Sequence, residues 1–503
     1  MGAVITGYGD WVQKWAEVAP WRVAIRETRS GQALHYGELS ARSWRWAHTL
    51  GALGVEAGDR VAILAKNAPS SFELLVACLR RGAAYTPLNW RLAVPELGDI
   101  LGHCTPKVLV YDDHFAEAAG ALFEAMPEMK GIALGHAVGD HQTYARLLTE
   151  ASDTVARVTH PEETVGMLLY TSGTTGRPKG VMLPHKQLFY NAINTVYATD
   201  MGPDDRVVAC LPLFHTGGLN CLATPALYRG GTMLLSDAFD PEQILQISEA
   251  QRATVMVGVP TMYHMLLESG LDRYDLSSMH TLLCGGAPLP DVLLDAWLDR
   301  GFNFRQGFGM TEVGPNCFSL PPWMVGRKRG SVGQPVIHGG ARVDAPVGEV
   351  GELLLGGPIV CAGYWQDPEN TAKAIKDGWF HTGDLARVDE GGFFYIAGRQ
   401  KDMFISGGEN VYPAEVENAI LEHPQVDEAV VIGVPDARWG EVGLAVVVPV
   451  AGSGFDPGTL KSHCSEHLAR FKVPKYFKVA DTLPKNTSGK VIKAEVKSLY
   501  GDV

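Results

Sequence analysis

The sequence predicts an α/β protein: a large N-terminal domain of layered, largely parallel sheets with helices, and a small C-terminal α+β domain joined to it by a hinge. Three observations carry this prediction. Apolar runs of strand length recur over the first four hundred residues, helical patterns separate several of them, and a polar connector near residue 400 precedes a compact final unit. At 503 residues the chain is long enough for at least two domains.

The strands of the large domain are predicted from short uninterrupted apolar runs, which are typical of strands buried on both faces. These runs include residues 60–65, 107–111, 207–211, 232–235, 254–257 and 281–284. Helical patterns lie between several of them, for example at 71–81 and 241–250. Because ligands of such folds bind beyond the carboxyl ends of the strands, we expect functional residues in the loops that follow these runs.

The small domain is predicted from the change in sequence character at Gly-Arg-Gln-Lys-Asp, residues 398–402. About a hundred residues follow. They read as a helix at 414–421, strands at 429–434 and 444–450, a helix near 460–470 and a final strand at 476–480. We therefore predict domains at 1–399 and 403–503, with a hinge at 400–402 in which Lys401 and Asp402 take part.

Composition excludes several protein classes. Hydrophobic residues make up 46% and charged residues 20% of the chain, which excludes a fibrous, disordered or small disulfide-framed protein. The net charge is −13, yet residues 461–497 hold nine Lys or Arg and three acids, so that stretch carries +6 and the rest −19. This distribution favours a local anion site and excludes a nucleic-acid surface across the whole protein.

Cysteine usage and hydropathy bear on location. The eight cysteines form no C-x-x-C pair, so we expect no zinc knuckle and no thioredoxin-like motif, and a reducing cytoplasm as the location. The first twenty residues lack the apolar core of a secretory signal. The long uncharged run 207–228 contains prolines and glycines and is interpreted as domain interior rather than a membrane span. A homodimer is compatible with these features.

The strongest local signal is Tyr-Thr-Ser-Gly-Thr-Thr-Gly-Arg-Pro-Lys-Gly at residues 170–180, directly after an apolar run. Its glycines let backbone N–H groups turn toward an anion, its four hydroxyls add donors, and Lys179 supplies a positive charge. The pattern predicts a phosphate-binding loop. It is not the P-loop of nucleotide triphosphatases, because no Gly-Lys-Ser/Thr occurs at the required spacing.

Further motifs follow in order. They are Gly-Gly-Ala-Pro at 285–288, Gln-Gly-Phe-Gly-Met-Thr-Glu at 306–312, Trp-Phe-His-Thr-Gly-Asp at 379–384, Gly-Arg-Gln-Lys-Asp at 398–402 and Pro-Lys-Asn-Thr-Ser-Gly-Lys at 484–490. With the phosphate-binding loop, this set resembles the adenylate-forming superfamily of acyl-CoA synthetases, luciferases and peptide synthetase adenylation domains. The segment 405–417 is most similar to the CoA ligases.

The resemblance implies a ligation in two halves. A carboxylic acid attacks the α-phosphate of ATP to give an acyl-adenylate and pyrophosphate, and the thiol of CoA then displaces AMP. ATP, Mg²⁺ and CoA as co-substrate are the implied small molecules, and the product is a fatty or aromatic acyl-CoA. Both reactants of the first half are anionic, so a metal ion and cationic side chains are expected at the site.

The resemblance also implies an ATP site. Its residues would be Thr171, Ser172, Gly173, Thr174, Thr175, Gly176, Lys179, Gly286, Ala287, Pro288, Gln306, Gly307, Phe308, Gly309, Asp384 and Arg399. Asp384 would accept both ribose hydroxyls, and Arg399 resembles its partner from across the domain boundary. Phe308 would stack on adenine, where many relatives carry tyrosine.

Four residues resemble the catalytic positions of the superfamily. Glu312 matches the magnesium-coordinating acid and Thr311 a phosphate-contacting hydroxyl. Lys490 matches the lysine that reaches from the small domain to the α-phosphate and the acyl carboxylate. His215 matches the residue that lies at the acyl carboxylate and gates the acid pocket, and a hydrogen-bonded core histidine is the alternative interpretation.

The second half requires a different arrangement, because the thiol needs the face that Lys490 occupies during adenylation. The resemblance implies that the small domain rotates about Lys401 and Asp402. Residues of the next loop would then line the pantetheine tunnel, where glycine permits close approach. These residues are Ser406, Gly407, Gly408 and Glu409.

The expected acid pocket is lined by Phe214, Gly217, Gly218, Cys221, Cys284 and Met310, with the two glycines leaving room. Glu312 is the one charged residue in the segments concerned, and no arginine is placed to pair with a second carboxylate, so an apolar fatty or aryl acid is expected. The choice between them stays open. The alternatives to a CoA ligase are a carrier-protein-loading enzyme, a luciferase-like oxygenase, and a non-catalytic AMP or acyl-AMP sensor.

Overall fold

The computed structural model describes residues 9–156, 159–171, 178–486 and 489–502, and four sheets organise them. Two sheets of seven strands are largely parallel, a third of seven strands is antiparallel, and a fourth of five strands belongs to the C-terminal part. The predicted α/β class and the division into a large and a small domain are confirmed. The antiparallel third sheet was not predicted.

The first sheet supplies the edge on which the site is built. In chain order its strands are Val23–Glu27, Ala33–His35, Arg206–Ala209, Thr232–Leu235, Val255–Gly258, Thr281–Cys284 and Phe304–Gln306. All are parallel to their neighbours except Ala33–His35, a short antiparallel strand at one end of the sheet. Four of the predicted apolar runs form strands of this sheet, with boundaries within two residues of those expected.

The second sheet is built in the same way and contains the other two predicted runs. Its strands are Arg60–Leu64, Ala84–Pro87, Val108–Tyr111, Lys130–Ala133, Gln142–Thr143, Val165–Thr171 and Lys179–Pro184. The last two strands pair antiparallel and bring Thr171 opposite Lys179. The predicted phosphate-binding loop therefore connects two strands of a hairpin.

The third sheet completes the large domain. Its strands are Phe318–Ser319, Ser331–Pro335, Gly340–Val343, Val350–Gly356, Ile375–Lys376, Trp379–Val388 and Phe394–Arg399. Buried and partly exposed positions alternate at the start of Trp379–Val388, as expected for a strand with one face toward the core. The last strand of this sheet ends at Arg399, directly before the predicted hinge.

The small domain contains its own sheet and three helices. The strands are Phe404–Ser406, Glu409–Val411, Val426–Asp436, Gly440–Pro449 and Tyr476–Val479, and the helices are Pro413–Leu421, Pro457–His467 and Lys493–Tyr500. The predicted helices and strands at 414–480 are confirmed. The final helix was not predicted.

The large domain has helices beside the parallel sheets and one, the last of them in the chain, beside the third sheet. They are Trp11–Val18, Tyr36–Ala52, Pro69–Arg81, Val94–Cys104, Ala116–Ala125, Tyr144–Glu150, His185–Thr199, Thr216–Gly218, Thr224–Arg229, Pro241–Ala250, Pro260–Glu268, Asp291–Leu298 and Pro368–Ala374. Short 3₁₀ turns lie at Asp113–Phe115, Leu271–Arg273, Thr311–Val313 and Pro322–Met324. Proline at the first position begins several helices, because its fixed φ suits a helix start and its missing N–H has no partner there in any case.

The uncharged run 207–228 is interior, as expected. It begins in a strand of the first sheet and continues into a helical stretch, Thr216–Arg229, that contains a π-helical segment at Leu219–Ala223. Most of its side chains are buried. In the part of the chain that the structure describes, none of the helices combines the length and the apolar character needed to cross a bilayer.

Candidate active site

The site is assembled where three neighbouring parallel strands of the first sheet end. The strands Val255–Gly258, Thr281–Cys284 and Phe304–Gln306 pair in register, so the segments that follow them start at the same edge. Gly285 N donates to Gly258 O at 3.1 Å and Gly307 N to Cys284 O at 2.7 Å. Parallel pairing therefore brings the motifs at 285–288 and 306–312 together, although about twenty residues separate them.

Glycine is required at two of these motif positions. Gly286 has φ +80°, and a Cβ on Gly309 would lie 2.3 Å from the backbone of Pro315. Ala287 and Pro288 continue the first motif, and the Phe308 ring packs edge-on against Phe318 with centroids 5.9 Å apart. The loop geometry thus holds the backbone and the aromatic ring expected to contact a base.

Lys179 lies at the base of the phosphate-binding loop, opposite Thr171. Its Nζ lies 4.8 Å from the ring centroid of Tyr364, a cation–π contact. Ser172, Gly173, Thr174, Thr175 and Gly176 lie outside the described residues.

Glu312 occupies a short turn, Thr311–Val313, that two other segments hold in place. Tyr364 Oη donates to Glu312 Oε1 at 3.0 Å, Cys361 N donates to the Glu312 carbonyl at 2.7 Å, and Gln187 Nε2 donates to it at 3.2 Å. Burial raises the pKa of the Glu312 carboxyl above its usual range, and the charges of Arg399 and Lys179 oppose that effect. An acid, a lysine and an arginine therefore share one electrostatic environment.

Asp384 is the most deeply buried acid of the site, with 4% of its surface exposed. Its Oδ1 lies 2.6 Å from Arg399 Nε, while its buried Oδ2 has no hydrogen-bond partner among the described residues. Burial raises the pKa of this carboxyl to about 6, although Arg399 and Lys490 favour the ionised form. Arg399 lies on the neighbouring strand of the same sheet, directly opposite Asp384, and not across the domain boundary as expected.

Lys490 is brought to this acid from the small domain. Its pKa lies below the usual range because the ammonium is partly withdrawn from water and faces Arg399, while Asp384 and Asp402 act in the opposite direction. The neighbouring Gly489 docks on the large domain, since a Cβ there would lie 3.7 Å from Thr261 Oγ1 and 3.9 Å from Val259 Cγ2. The small domain therefore presents Lys490 to the edge of the first sheet.

These residues fit a magnesium-bound nucleotide. Asp384 Oδ2, which has no hydrogen-bond partner among the described residues, can accept hydrogen bonds from a ribose. The Glu312 carboxylate offers oxygen ligands of the kind that Mg²⁺ prefers. Lys179 and Lys490 supply positive charge for phosphate groups. The motif spacing did not reveal Tyr364, which anchors both Glu312 and Lys179.

His215 belongs to an aromatic cluster in the expected acid pocket. Its ring centroid lies 4.5 Å from that of Phe214, and Trp90 meets Phe214 edge-on at 6.0 Å. Burial and the nearby Arg91 lower the pKa of His215 to about 4, so the ring is neutral at pH 7. Its buried Nε2 has no hydrogen-bond partner in the described part of the chain.

Arg91 is a second residue that the sequence analysis missed. Its guanidinium lies 4.7 Å from the Trp90 ring centroid and 5.8 Å from that of Phe214. Arg91 reaches this cluster from a loop far from every motif, and the residue is exposed. It stands at the mouth of the aromatic cluster.

A network of buried amides lies beside the π-helical segment Leu219–Ala223. Asn191 Nδ2 donates to Asn220 O at 2.6 Å, Cys221 Sγ donates to Asn316 Oδ1 at 3.3 Å, and Asn316 Nδ2 donates to Cys221 O at 3.1 Å. The buried Asn191 Oδ1 has no partner among the described residues. Cys221 was predicted from the sequence but the asparagines were not, because single polar residues in apolar segments carry no motif.

The other residues of the expected acid pocket are placed as follows. Cys284 is fully buried at the end of its strand, and Met310 N donates to Gly314 O at 3.0 Å in the turn that carries Glu312. Gly217 is partly exposed, with Leu211 Cδ1 3.7 Å from the position of a Cβ. At Gly218 that position lies 2.1 Å from Pro212 O, so glycine is needed there for backbone packing and not to leave room for an acid.

The predicted CoA loop lies in the small domain, in the hairpin between Phe404–Ser406 and Glu409–Val411. Ser406 is buried, whereas Gly407, Gly408 and Glu409 are exposed. Gly408 has φ +91° and open space around its Cα.

The predicted hinge follows the third sheet as a tight turn. Asp402 N donates to Arg399 O at 3.0 Å, and Gln400 N donates to Gly383 O at 2.9 Å. Lys401 is exposed in this turn. The hinge function and the CoA contacts of the loop stay predictions.

Comparison with known proteins gives matches over nearly the whole chain. Residues 12–365 match the model of the AMP-binding enzyme family, and residues 415–490 match that of the AMP-binding enzyme C-terminal domain. A feruloyl-CoA synthase of an Amycolatopsis species is 44% identical over 98% of this chain and 99% of its own, and an indoleacetate–CoA ligase of Aromatoleum aromaticum is 38% identical over 97% of both. The crystal structure of ATP-bound MatB from Rhodopseudomonas palustris superposes with a TM-score of 0.91 at 35% identity over 99% of both chains.

Proposed function

Since the chain belongs to the AMP-binding enzyme family and is an AMP-forming acid–CoA ligase, we propose that its acid substrate is an aromatic one that carries a polar ring substituent, of the hydroxycinnamate type. The enzyme forms the acyl-CoA through an acyl-adenylate. The proposal chooses the aryl acid over the fatty acid, which the sequence left open.

The side-chain oxygen Oδ1 of Asn191, which has no hydrogen-bond partner among the described residues, carries this choice. It is buried beside Gly314, where a Cβ would lie only 2.9 Å from it. A fatty chain would leave this acceptor unsatisfied, at a cost of about 1–3 kcal/mol, whereas a ring hydroxyl can donate to it. The aromatic cluster of Phe214, His215 and Trp90 offers ring faces to an aryl group. The names of the two relatives above, for feruloyl and indoleacetate, support an aromatic acyl group.

In the adenylation half-reaction, this chain binds the nucleotide through three charged groups. Asp384 Oδ2 accepts from the ribose, Lys179 neutralises phosphate charge, and Lys490 offsets the charge that grows as the acid carboxylate attacks. Mg²⁺ bound at Glu312 would supply further positive charge to the phosphate oxygens. Thr311 adds a hydroxyl beside Glu312.

His215 positions the acid without removing a proton. The pKa of its ring is lowered to about 4, so it stays neutral at working pH and can hydrogen-bond a carboxylate through Nε2. A general base is not required, because a carboxylic acid is already ionised near neutrality.

Thioester formation requires the small domain to rotate away from the edge of the first sheet. Lys490 and Gly489 occupy the edge of the first sheet in this structure, so a thiol would need that space once pyrophosphate has gone. We propose that a rotation at residues 400–402 withdraws Lys490 and brings the loop Ser406–Glu409, whose last three residues are exposed, to the acyl-adenylate, with CoA as the thiol donor.

The experiment that tests the function measures the acid-dependent exchange of labelled pyrophosphate into ATP, and CoA-dependent AMP release, over a panel of acids. We expect hydroxylated cinnamates to give the highest kcat/KM, unsubstituted cinnamate a lower one, and octanoate and palmitate the lowest. A fatty acid that equals or exceeds the hydroxycinnamates would contradict the aryl assignment. AMP release that ignores CoA would contradict CoA as the thiol.

Asn191→Leu tests the acceptor directly. Leucine has the same branched side-chain skeleton but no carbonyl, so the preference for hydroxylated over unsubstituted cinnamate should fall about tenfold while the KM for ATP stays constant. Asn194→Leu is the matched control, because Asn194 lies on the same helix and its Oδ1 accepts from His338 N at 3.0 Å. An unchanged preference in Asn191→Leu with a folded protein would remove this residue from the acid site.

We infer that the enzyme works in the reducing cytoplasm. All eight cysteines are unpaired and buried, which suits a compartment where disulfides do not form. Homodimeric assembly stays a prediction from the sequence, and light scattering of the purified protein measures it.

A further inference from the structure

A cluster of metal-binding side chains lies in the small domain, apart from the residues assigned to catalysis. Glu422 directly follows the helix Pro413–Leu421, and His463 and His467 are one turn apart on the helix Pro457–His467. One possible ligand atom from each of the three lies within 4.8 Å of the others. Glu422 and His467 are exposed and His463 is partly buried, so the cluster is open to ions from solvent.

Backbone hydrogen bonds fix the tautomers of both histidines. His463 Nε2 lies 2.9 Å from Ala419 O, and His467 Nδ1 lies 2.8 Å from His463 O. A carbonyl oxygen only accepts hydrogen bonds, so each of these nitrogens carries the proton. The lone pairs are then on His463 Nδ1 and His467 Nε2. Metal-binding histidines are oriented in this way, with the second ring nitrogen bonded to a carbonyl or carboxylate.

The neighbouring His423 is not a fourth ligand in this arrangement. Its ring centroid lies 5.3 Å from that of His463, but its Nδ1 accepts from Gln425 N at 3.3 Å, and the residue is buried. The protein thus offers two imidazole nitrogens and one carboxylate oxygen, with an open position for water. Zn²⁺ favours such donors, whereas Ca²⁺ and Mg²⁺ favour sites made of oxygen alone.

We propose that Glu422, His463 and His467 bind one Zn²⁺ ion that joins the helices Pro413–Leu421 and Pro457–His467. The two helices already pack together through buried side chains that include Val416, Ile420 and Leu460. Because all three ligands belong to the small domain, the ion stays bound whichever orientation that domain takes. Its role is to stabilise the helix pair that supports the mobile domain.

Calorimetric titration of the metal-free, full-length protein with Zn²⁺ tests the site. The wild type should bind one more Zn²⁺ than His467→Ala, or bind it at least tenfold more tightly. The matched control is His136→Ala, because His136 is 98% exposed and lies 2.9 Å from a single carboxylate, that of Asp113. It should titrate like the wild type. The buried cysteines do not compete for the ion in the folded protein.

Glu422→Gln provides a second variant that keeps the size of the side chain and removes its charge. It should weaken Zn²⁺ binding by at least the same factor. If His467→Ala and Glu422→Gln bind Zn²⁺ with the stoichiometry and affinity of the wild type, the site does not exist as proposed.

Amide hydrogen exchange tests whether the bound Zn²⁺ stabilises the two helices. Zn²⁺ should slow amide exchange in residues 413–421 and 457–467 of the wild type and leave His467→Ala unchanged. Binding without slower exchange in these two helices would contradict the role of the ion in joining them.

Discussion

The buried charge of Asp384 lowers the free energy of unfolding of the protein. Its pKa is raised from 3.8 to about 6, chiefly by burial. Since the folded protein binds this proton more tightly than the unfolded chain, the group is neutral in both states well below pH 4. A penalty develops as the pH rises from about 4 to 6, and above that range it reaches about 3 kcal/mol. The ionised carboxylate therefore destabilises the folded protein, which agrees with the ribose-binding role proposed above.

Asp384→Asn should separate these two properties. We expect the free energy of unfolding to rise by up to about 3 kcal/mol at pH 7.5 and by much less at pH 4.5, because the variant removes the buried charge. The KM for ATP should rise in the same protein, since the amide cannot serve two ribose hydroxyls. Urea unfolding at both pH values and steady-state kinetics measure these effects. A variant less stable than the wild type at pH 7.5 would contradict this account.

Lys490→Ala should affect one half-reaction. Without the ammonium beside Asp384 and Arg399, acyl-AMP formation should fall by about 10²–10³-fold, while supplied acyl-AMP should still be converted to thioester by CoA. Pyrophosphate release and thioester formation are measured separately. Lys497→Ala, an exposed lysine of the last helix, is the control and should match the wild type. Equal loss in both halves would contradict a lysine that serves adenylation alone.

Among the helices and strands, predictability follows burial. The strands of the parallel sheets were predicted because both of their faces are buried, which gives uninterrupted apolar runs such as Val108–Tyr111. Strands of the third sheet, such as Trp379–Val388, mix buried and partly exposed positions and contain Gly383, so their pattern is weaker. The final helix Lys493–Tyr500 was missed because its one fully buried side chain, Val496, gives no repeating apolar face.

Site residues were predicted when they lie in contiguous motifs and missed when they reach the site singly. Motif residues such as Glu312 and Asp384 were found from contiguous sequence. Tyr364, Arg91 and Asn191 were missed because each reaches the site from a distant segment through a single side chain. Only the fold brings such residues together.

Gly408→Val tests the CoA loop. Gly408 has φ +91° and open space around it, so a valine would add bulk at the loop surface and strain its backbone. We expect thioester formation to slow at least tenfold and pyrophosphate exchange to stay within twofold of the wild type. Gly452→Val is the matched control, because Gly452 also has positive φ (+73°) and open surroundings in a turn of the small domain. Unchanged CoA kinetics in Gly408→Val would remove this loop from the thiol path.

The two domains meet where the reaction is expected to occur. Gly489 docks beside Thr261, and His264 Nε2 lies 3.9 Å from Asp427 Oδ1 across the same boundary. These are exposed contacts at the edge of the interface. They suit a boundary that forms and breaks in each catalytic cycle.

A disulfide between Thr261→Cys and Gly489→Cys should hold the domains in this orientation. A Cβ on residue 489 would lie 3.7 Å from Thr261 Oγ1, the atom that a cysteine sulfur would replace. The oxidised double variant should still catalyse pyrophosphate exchange but lose CoA-dependent thioester formation. Reduction of the disulfide should restore thioester formation. The native cysteines are buried and should not interfere.

The two single variants are the controls for this crosslink, because a cysteine at residue 489 takes a φ of +81° that favours glycine. Each should keep both half-reactions under oxidising conditions. An oxidised double variant that still forms thioester at the wild-type rate would show that no rotation is needed.

The hairpin that carries Asp384 and Arg399 connects the proposed ribose site with the proposed hinge. The two residues face each other on adjacent strands, and the Arg399 carbonyl accepts hydrogen bonds from Asp402 and Met403 in the turn that follows its strand. A ribose bound by Asp384, as proposed above, would lie one strand away from the proposed pivot at residues 400–402. This connectivity would therefore link the occupancy of the proposed ribose site directly to the proposed pivot.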